Sequence, residues 1–537
     1  MAKEQTAAMS MKKKGLLLLG FLIFCSATYY LFQKTTLSII APIPITKSPK
    51  ENPVWLNVFV HGTVGSSFSL LNLKKVAKDE IKGTRYKKIV SSTRSQKGFW
   101  QDQPILSIGL EQINPTFNTS ILDSEDYYLA AYPIISAFEA MQIQSGDKNK
   151  DTDHLYYLYG WSGLLSQEAR RKEGIRLYNA LNQKVFELTR QGYSADKIKV
   201  RILTHSHGGN VCLSMAGAYH TLTDKNFYDQ FSIGESIKSK FEQIISNLPA
   251  RAYAETKKHP AEKYDYPPKR IFQIDELICL GTPIQKETVI FFKSPLFKKK
   301  INLYSEGDVV QTSDFVSTEH KTSYRKASRY EVEDSSLFEI KINIRDFVSQ
   351  KIETENKIPS KQALGLVKYV QSKFTKTFPD INPNEVAGEK VSTDESPAGF
   401  VDLFFGLKNT SRKSSNPTHK ELWFFVPPES KDAFNFLRPI PVFCFYPFVD
   451  RIINEKNLSG GHYDLIMEQG EASDLAIKLK SEAKDVIEGE HFVKTSTIIG
   501  LKEKLAPWTT PKEITAPGTA EEKFAIKLRR AGNKVNL

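Results

Sequence analysis

A chain of 537 residues, 40% of them hydrophobic, is long enough to bury one large core with insertions, or two domains, and this composition excludes disorder throughout. Its formal net charge of +13 suits an anionic partner surface, yet lysine clusters such as Lys298-Lys299-Lys300 come with neither zinc-ligand spacing nor a nucleic-acid module. The expected partner is therefore a membrane surface, with no nucleic acid.

Lys12, Lys13 and Lys14 precede an uncharged apolar stretch over residues 15–32. As a helix this stretch spans about 27 Å, roughly one hydrocarbon core, so residues 1–33 read as a signal peptide or a transmembrane anchor. Cys25-Ser26-Ala27 offers the small residues of a cleavage site, while Ser26 and Thr28 weaken the segment as a span. Either way the lysines stay in the cytoplasm, and the body belongs to the cell envelope, membrane-anchored or secreted, on the non-cytoplasmic side. Residues 34–53, with prolines and lysines, read as a linker.

The body, 54–470, is expected to carry insertions at about 64–150 and 345–415. Residues 54–60 form an apolar strand ending in His61-Gly62-Thr63, and 155–159 form another ending in Gly160-Trp161-Ser162-Gly163. Between them, Tyr127 to Ile135 includes an apolar stretch that reads as core or as a lid. Ile175, Leu177, Leu181, Val185 and Leu188 recur at helical spacing and predict a crossover helix leading to the strand 199–203. That strand stops at Thr204-His205-Ser206-His207-Gly208-Gly209 and passes into a helix, the pattern of a strand-to-helix elbow that exposes a serine.

Residues 236–269 are charged and irregular, and read as a surface excursion. Further apolar strands at 277–280 and 301–304 end in Gly281-Thr282-Pro283 and Ser305-Glu306-Gly307-Asp308, and 338–344 adds another. Phe291, Phe292 and Phe297 lie between, again readable as core or lid. The predicted fold is α/β: a mainly parallel central sheet with flanking helices, its carboxyl edges carrying Thr63, Gly160, Ser206, Gly281 and Asp308. Residues 471–490 read as a charged helix and 504–537 as a loose basic tail. Of four cysteines, Cys25 belongs to the targeting segment, leaving an odd number; Cys212 and Cys279 read as small core residues.

A serine hydroxyl becomes a nucleophile only when an imidazole takes its proton and a carboxylate orients that imidazole. Asp308, at the end of an apolar strand, is the best-placed acid; Asp275 precedes its strand, and Asp314 is the reserve. His205 and His207 flank Ser206 and read as spacers, His61 belongs to the loop after the first strand, and His320 follows Asp308 too closely. The base is then His419 or His462, with His419 preferred. The amides of Thr63 and His207 are the expected oxyanion donors. The chemistry calls for no metal and no cofactor.

Together, HGT at His61 to Thr63, THSHGG around Ser206, LGTP at Leu280 to Pro283 and EGD ending at Asp308 resemble the α/β-hydrolase superfamily, in its lipase and esterase branch. The resemblance covers roughly residues 54–311, and beyond that only the order serine, acid, histidine. Thr204 departs from it where the family usually has glycine, and Ile284-Gln285 where a His-x-Gly often follows. The resemblance implies an exported, membrane-associated serine hydrolase acting on lipid or acyl esters. An acyltransferase on the same scaffold, or a catalytically silent binding protein of that fold, are its alternatives.

Overall fold

Val54, Leu56, Val58 and Val60 alternate with Trp55, Asn57 and Phe59, and the strand they predict forms as β1 (Val54–Val60). The computed structural model describes residues 50–62, 109–113, 131–148, 151–164, 166–248, 264–265, 267–268, 270–308, 334–345, 416–417, 419, 421–423, 437, 440–470 and 474–509. The expected membrane segment, most of the linker, Thr63, Asp314, most of the 345–415 insertion and residues 510–537 of the tail lie outside the described residues. No described helix is long and apolar enough to cross a membrane.

The other strands are β2 (Gly109–Ile113), β3 (Asp153–Gly160), β4 (Ile198–His205), β5 (Ile274–Leu280), β6 (Phe297–Tyr304), β7 (Leu337–Ile344), β8 (Gly461–Gln469), β9 (Leu475–Ser481) and β10 (Val486–Val493). They form one mixed sheet in the order β10-β9-β8-β7-β6-β5-β4-β1-β3-β2. Every pairing from β3 to β8 is parallel, and β2, β9 and β10 join antiparallel at the two ends. From β1 the chain moves outward to β2 and β3, then returns to place β4 on the other side of β1. The sheet therefore changes winding direction between β1 and β4, and the crevice beyond their carboxyl ends is where open α/β sheets bind ligands.

Period-two alternation gives the central strands β1, β4 and β5 two buried faces. On one face lie α2 (Gln167–Arg190), α3 (His207–Thr223) and α4 (Gly234–Ser246), with Val54, Leu56, Val200, Ile202, Val211 and Phe241 in a common core. On the other lie α1 (Ala131–Ser145), α6 (Tyr446–Glu455) and α7 (Thr495–Thr509), packed through Phe59, Phe138, Leu203, Phe443, Ile452 and Ile498. A short turn of helix, α5 (Lys286–Val289), follows β5. The expected crossover helix forms as α2: Ser166 caps it by accepting from the Ala169 amide, and Glu168 sits favourably in its first turn.

Several expectations change. The excursion at 236–269 begins as α4, because Ile237 and Phe241, one helical turn apart, bury together against the core. The charged stretch 471–490 is the hairpin β9–β10 and not a helix: Leu475, Ile477 and Leu479 point inward while Lys478 and Lys480 alternate outward. Helix begins only at Thr495, so the sheet layer continues past residue 470 and the start of the expected tail belongs to α7. The supposed insertion after residue 64 contains β2 and α1, which are integral to the sheet and core. Phe291, Phe292 and Phe297 are core residues too, not a lid. Cys212, Cys279 and Cys444 are buried free thiols, as read for the first two.

Candidate active site

Every residue of β4 from Val200 to His205 is buried, and the strand ends in an abrupt turn at Ser206. Ser206 adopts φ 53 and ψ −133, a conformation disfavoured for any residue with a Cβ and worth about 1–3 kcal/mol of strain. Its amide still donates to Leu280 O at 3.0 Å, and its carbonyl accepts from the Gly209 amide at 3.0 Å, so both strand and helix hold the turn. Although Ser206 occupies the N-cap of α3, its hydroxyl does not cap the helix. Close approach explains the glycines on either side: a Cβ on Gly208 would lie 2.5 Å from His61 O, and one on Gly62 would lie 2.7 Å from Ser206 Cβ. The loop after β1 is thereby pressed against the serine. Thr204 does not crowd the elbow, because its Oγ1 turns to donate to Ile278 O at 3.1 Å.

The His207 amide opens α3, where first-turn N–H groups and the helix dipole favour negative charge. Its side chain serves to hold the turn: Arg170 Nη1 and Asn210 Nδ2 both donate to Nδ1, at 2.6 and 3.1 Å. His61 is likewise occupied, since its Nε2 accepts from the Trp161 amide at 3.2 Å and Nδ1–H is left to donate to Gly62 O at 2.7 Å. His207 thus holds the turn and His61 the loop after β1, with those ring nitrogens engaged in these bonds.

Asp308 is buried just beyond β6, and its Oδ2 lies 2.8 Å from Nδ1 of His419. The carboxylate can only accept, so His419 donates from Nδ1 and carries its lone pair on Nε2; its side chain is 17% exposed. Gly281 joins this pair to the elbow. It follows Leu280, the partner of the Ser206 amide, and a Cβ there would lie 2.6 Å from Asp308 Oδ2 and 3.1 Å from His419 Nδ1. The elbow and the acid–imidazole pair thus meet across the carboxyl end of β5. Among the described residues no hydrogen bond joins the Ser206 hydroxyl to His419, a link that often tightens only with substrate bound.

The other choices fall elsewhere. His462 is the second residue of β8 at the amino-terminal rim, half-exposed, with Nδ1 3.0 Å from Glu339 Oε2, so the sheet separates it from Ser206. Asp275 sits on that same far rim, accepting from the Val200 amide and from Lys298. A residue that sequence reasoning set aside belongs to the site: His205 donates from Nε2 to His419 O at 3.1 Å, with the two rings 4.4 Å apart. Among the described residues no cluster of His, Cys, Asp and Glu could hold a metal ion. Comparison with protein-family models, with curated proteins and with solved structures returned no match.

Proposed function

We propose that the protein is a serine hydrolase of carboxylic esters, of the α/β-hydrolase type, with Ser206, His419 and Asp308 as its triad. The observation that carries this reading is the strained, non-capping Ser206 at the end of β4, near a pair of buried Asp308 and part-buried His419 at the carboxyl edge of the parallel strands. In the reaction Ser206 Oγ attacks the ester carbonyl while His419 Nε2 takes its proton, and Asp308 steadies the imidazolium that forms. The oxyanion draws on the His207 amide. Collapse passes the proton to the departing alkoxide, and water then repeats the sequence to release the acid and restore Ser206.

The apolar stretch at 15–32 and the charge of +13 support a place at the cell envelope and a lipid or acyl ester as substrate. A fluorophosphonate probe tests the chemistry. Wild type is expected to be labelled and Ser206→Ala not at all. Turnover of p-nitrophenyl esters should fall about 10⁴-fold or more in His419→Ala and stay unchanged in His462→Ala. A folded wild type that takes no label would overturn the reading, and loss of turnover in His462→Ala alone would overturn the assignment of the base.

A further inference from the structure

The imidazole of His419 reaches Asp308 through Nδ1, but that bond alone leaves the main chain of residue 419 to be held by something else. The structure supplies the second anchor from the elbow itself. His205, the residue before Ser206, is buried at the end of β4, and its ring packs on Trp423, which belongs to the core on the face opposite α3. There its Nε2 meets His419 O at 3.1 Å, its ring lies 4.4 Å from that of His419, and Trp423 stacks on it at 5.6 Å and 11°. Trp423 is in turn buried against Phe443 and Phe59. A carbonyl only accepts, so His205 must carry its proton on Nε2.

We propose that His205 is a positioning residue for the general base, its Nε2–H fixing the main chain of His419 to the strand that carries the nucleophile. The proposal rests on the hydrolase reading and deepens it. The physical gain is in how distances are set. Asp308 ties the base to the end of β6, while His205 ties it to β4 one residue from Ser206, so the separation of base and nucleophile follows from the elbow and not from the long connection between β7 and α6. Small displacements matter here, since a misplacement of about 1 Å costs up to roughly 10²-fold in rate.

The electrostatics of the pair agree with this role. Burial, reinforced by the nearness of His419 and then of His61 and His207, pushes the His205 imidazole well below its ordinary value. A neutral His205 donates its hydrogen bond without opposing the positive charge that His419 acquires during the reaction.

The test compares His205→Phe, which keeps the ring on Trp423 and removes the donor, with His205→Gln, whose amide can donate from nearly the same place. The measurement is the second-order rate of fluorophosphonate labelling in the full chain, with the folded fraction followed by near-ultraviolet circular dichroism. The expected result is a rate about ten-fold or more below wild type in His205→Phe and a rate restored to within about three-fold in His205→Gln. Equal, wild-type rates in both variants overturn the role, and so does a slow His205→Gln that is fully folded. Should His205→Phe fail to fold, nitrogen-15 spectra of histidine-labelled wild type decide the matter. A neutral Nε2–H tautomer of His205, retained across pH 5 to 9, supports the role, and a cationic or Nδ1–H form overturns it. A folded wild type that takes no label removes the hydrolase reading itself, whereas labelling that persists unchanged in His205→Phe removes only the positioning role.

Discussion

Ser206 holds a backbone conformation that only glycine adopts without penalty, which separates stability from chemistry at one position. Ser206→Gly is expected to raise the unfolding free energy by about 1–3 kcal/mol while abolishing labelling; denaturant midpoints checked against the probe would show it, and an unchanged or lower midpoint would refute the strain. Gly281 makes the opposite case, with φ +56 and no room for a Cβ beside Asp308 and His419. Gly281→Ala should cost about 1–3 kcal/mol of stability and slow ester turnover more than it changes KM, because the methyl group displaces the acid and base together. The sequence already marked Ser206 and Asp308, since a serine at an elbow and an aspartate after a strand each have a local signature, and it left the imidazole to His419 or His462. His205 has none: on a strand that ends in a tight turn, nothing local says which loop will return to meet its ring.

At the level of elements, one buried ionic group pins three strands and two helices together. Arg201 on β4, wholly buried, bonds Glu276 on β5 at 2.5 Å, Asp147 just after α1 at 2.7 Å and Asp450 on α6 at 3.2 Å, while its guanidinium lies 4.4 Å from the Trp55 ring. Lys299 on β6 adds bonds to Glu276 and Asp450. Three carboxylates therefore face two cations. Burial alone would raise Asp147 and Glu276, but Arg201, joined by Gln142 at the first and Lys299 at the second, holds both below their ordinary values. Asp450 is left with the excess: burial, and then the Glu276 charge, push it up to about 6 from an ordinary 3.8. Because the folded state binds that proton more tightly than the unfolded chain, the contribution of Asp450 to stability is complete below its ordinary pKa and is lost as pH rises through about 6. Urea unfolding between pH 5 and 8 should show wild type losing stability relative to Asp450→Asn, and parallel curves would contradict it. Arg201→Met, which strands the carboxylates in the core, should destabilise by about 3–5 kcal/mol. In β9 and β10 the charged residues mask the alternation of Leu475, Ile477 and Leu479, so a high charge count suggests a helix where the sheet in fact continues.

Across the whole molecule, the segment after residue 470 completes the fold. Leu475, Ile477, Leu479, Val493, Ile498, Leu501 and Leu505 are all buried in the core shared with α1 and α6. At roughly 1.5–3 kcal/mol for each such side chain, their loss is comparable to or larger than the roughly 5–15 kcal/mol by which a domain is usually stable. A chain ending at residue 470 is expected to be insoluble or unfolded by circular dichroism, and a folded, labelled product would disprove the single sheet. What the sequence by itself determined was the series of apolar strands, the serine elbow and the acid, because each depends on neighbours within a few residues, where periodicity and turn chemistry act. Only the tertiary structure brought His419, and not His462, to Asp308, set His205 against His419 and carried the sheet beyond residue 470. Those outcomes depend on which strand end faces which across the sheet, and parallel order, set by packing on both faces, has no local code.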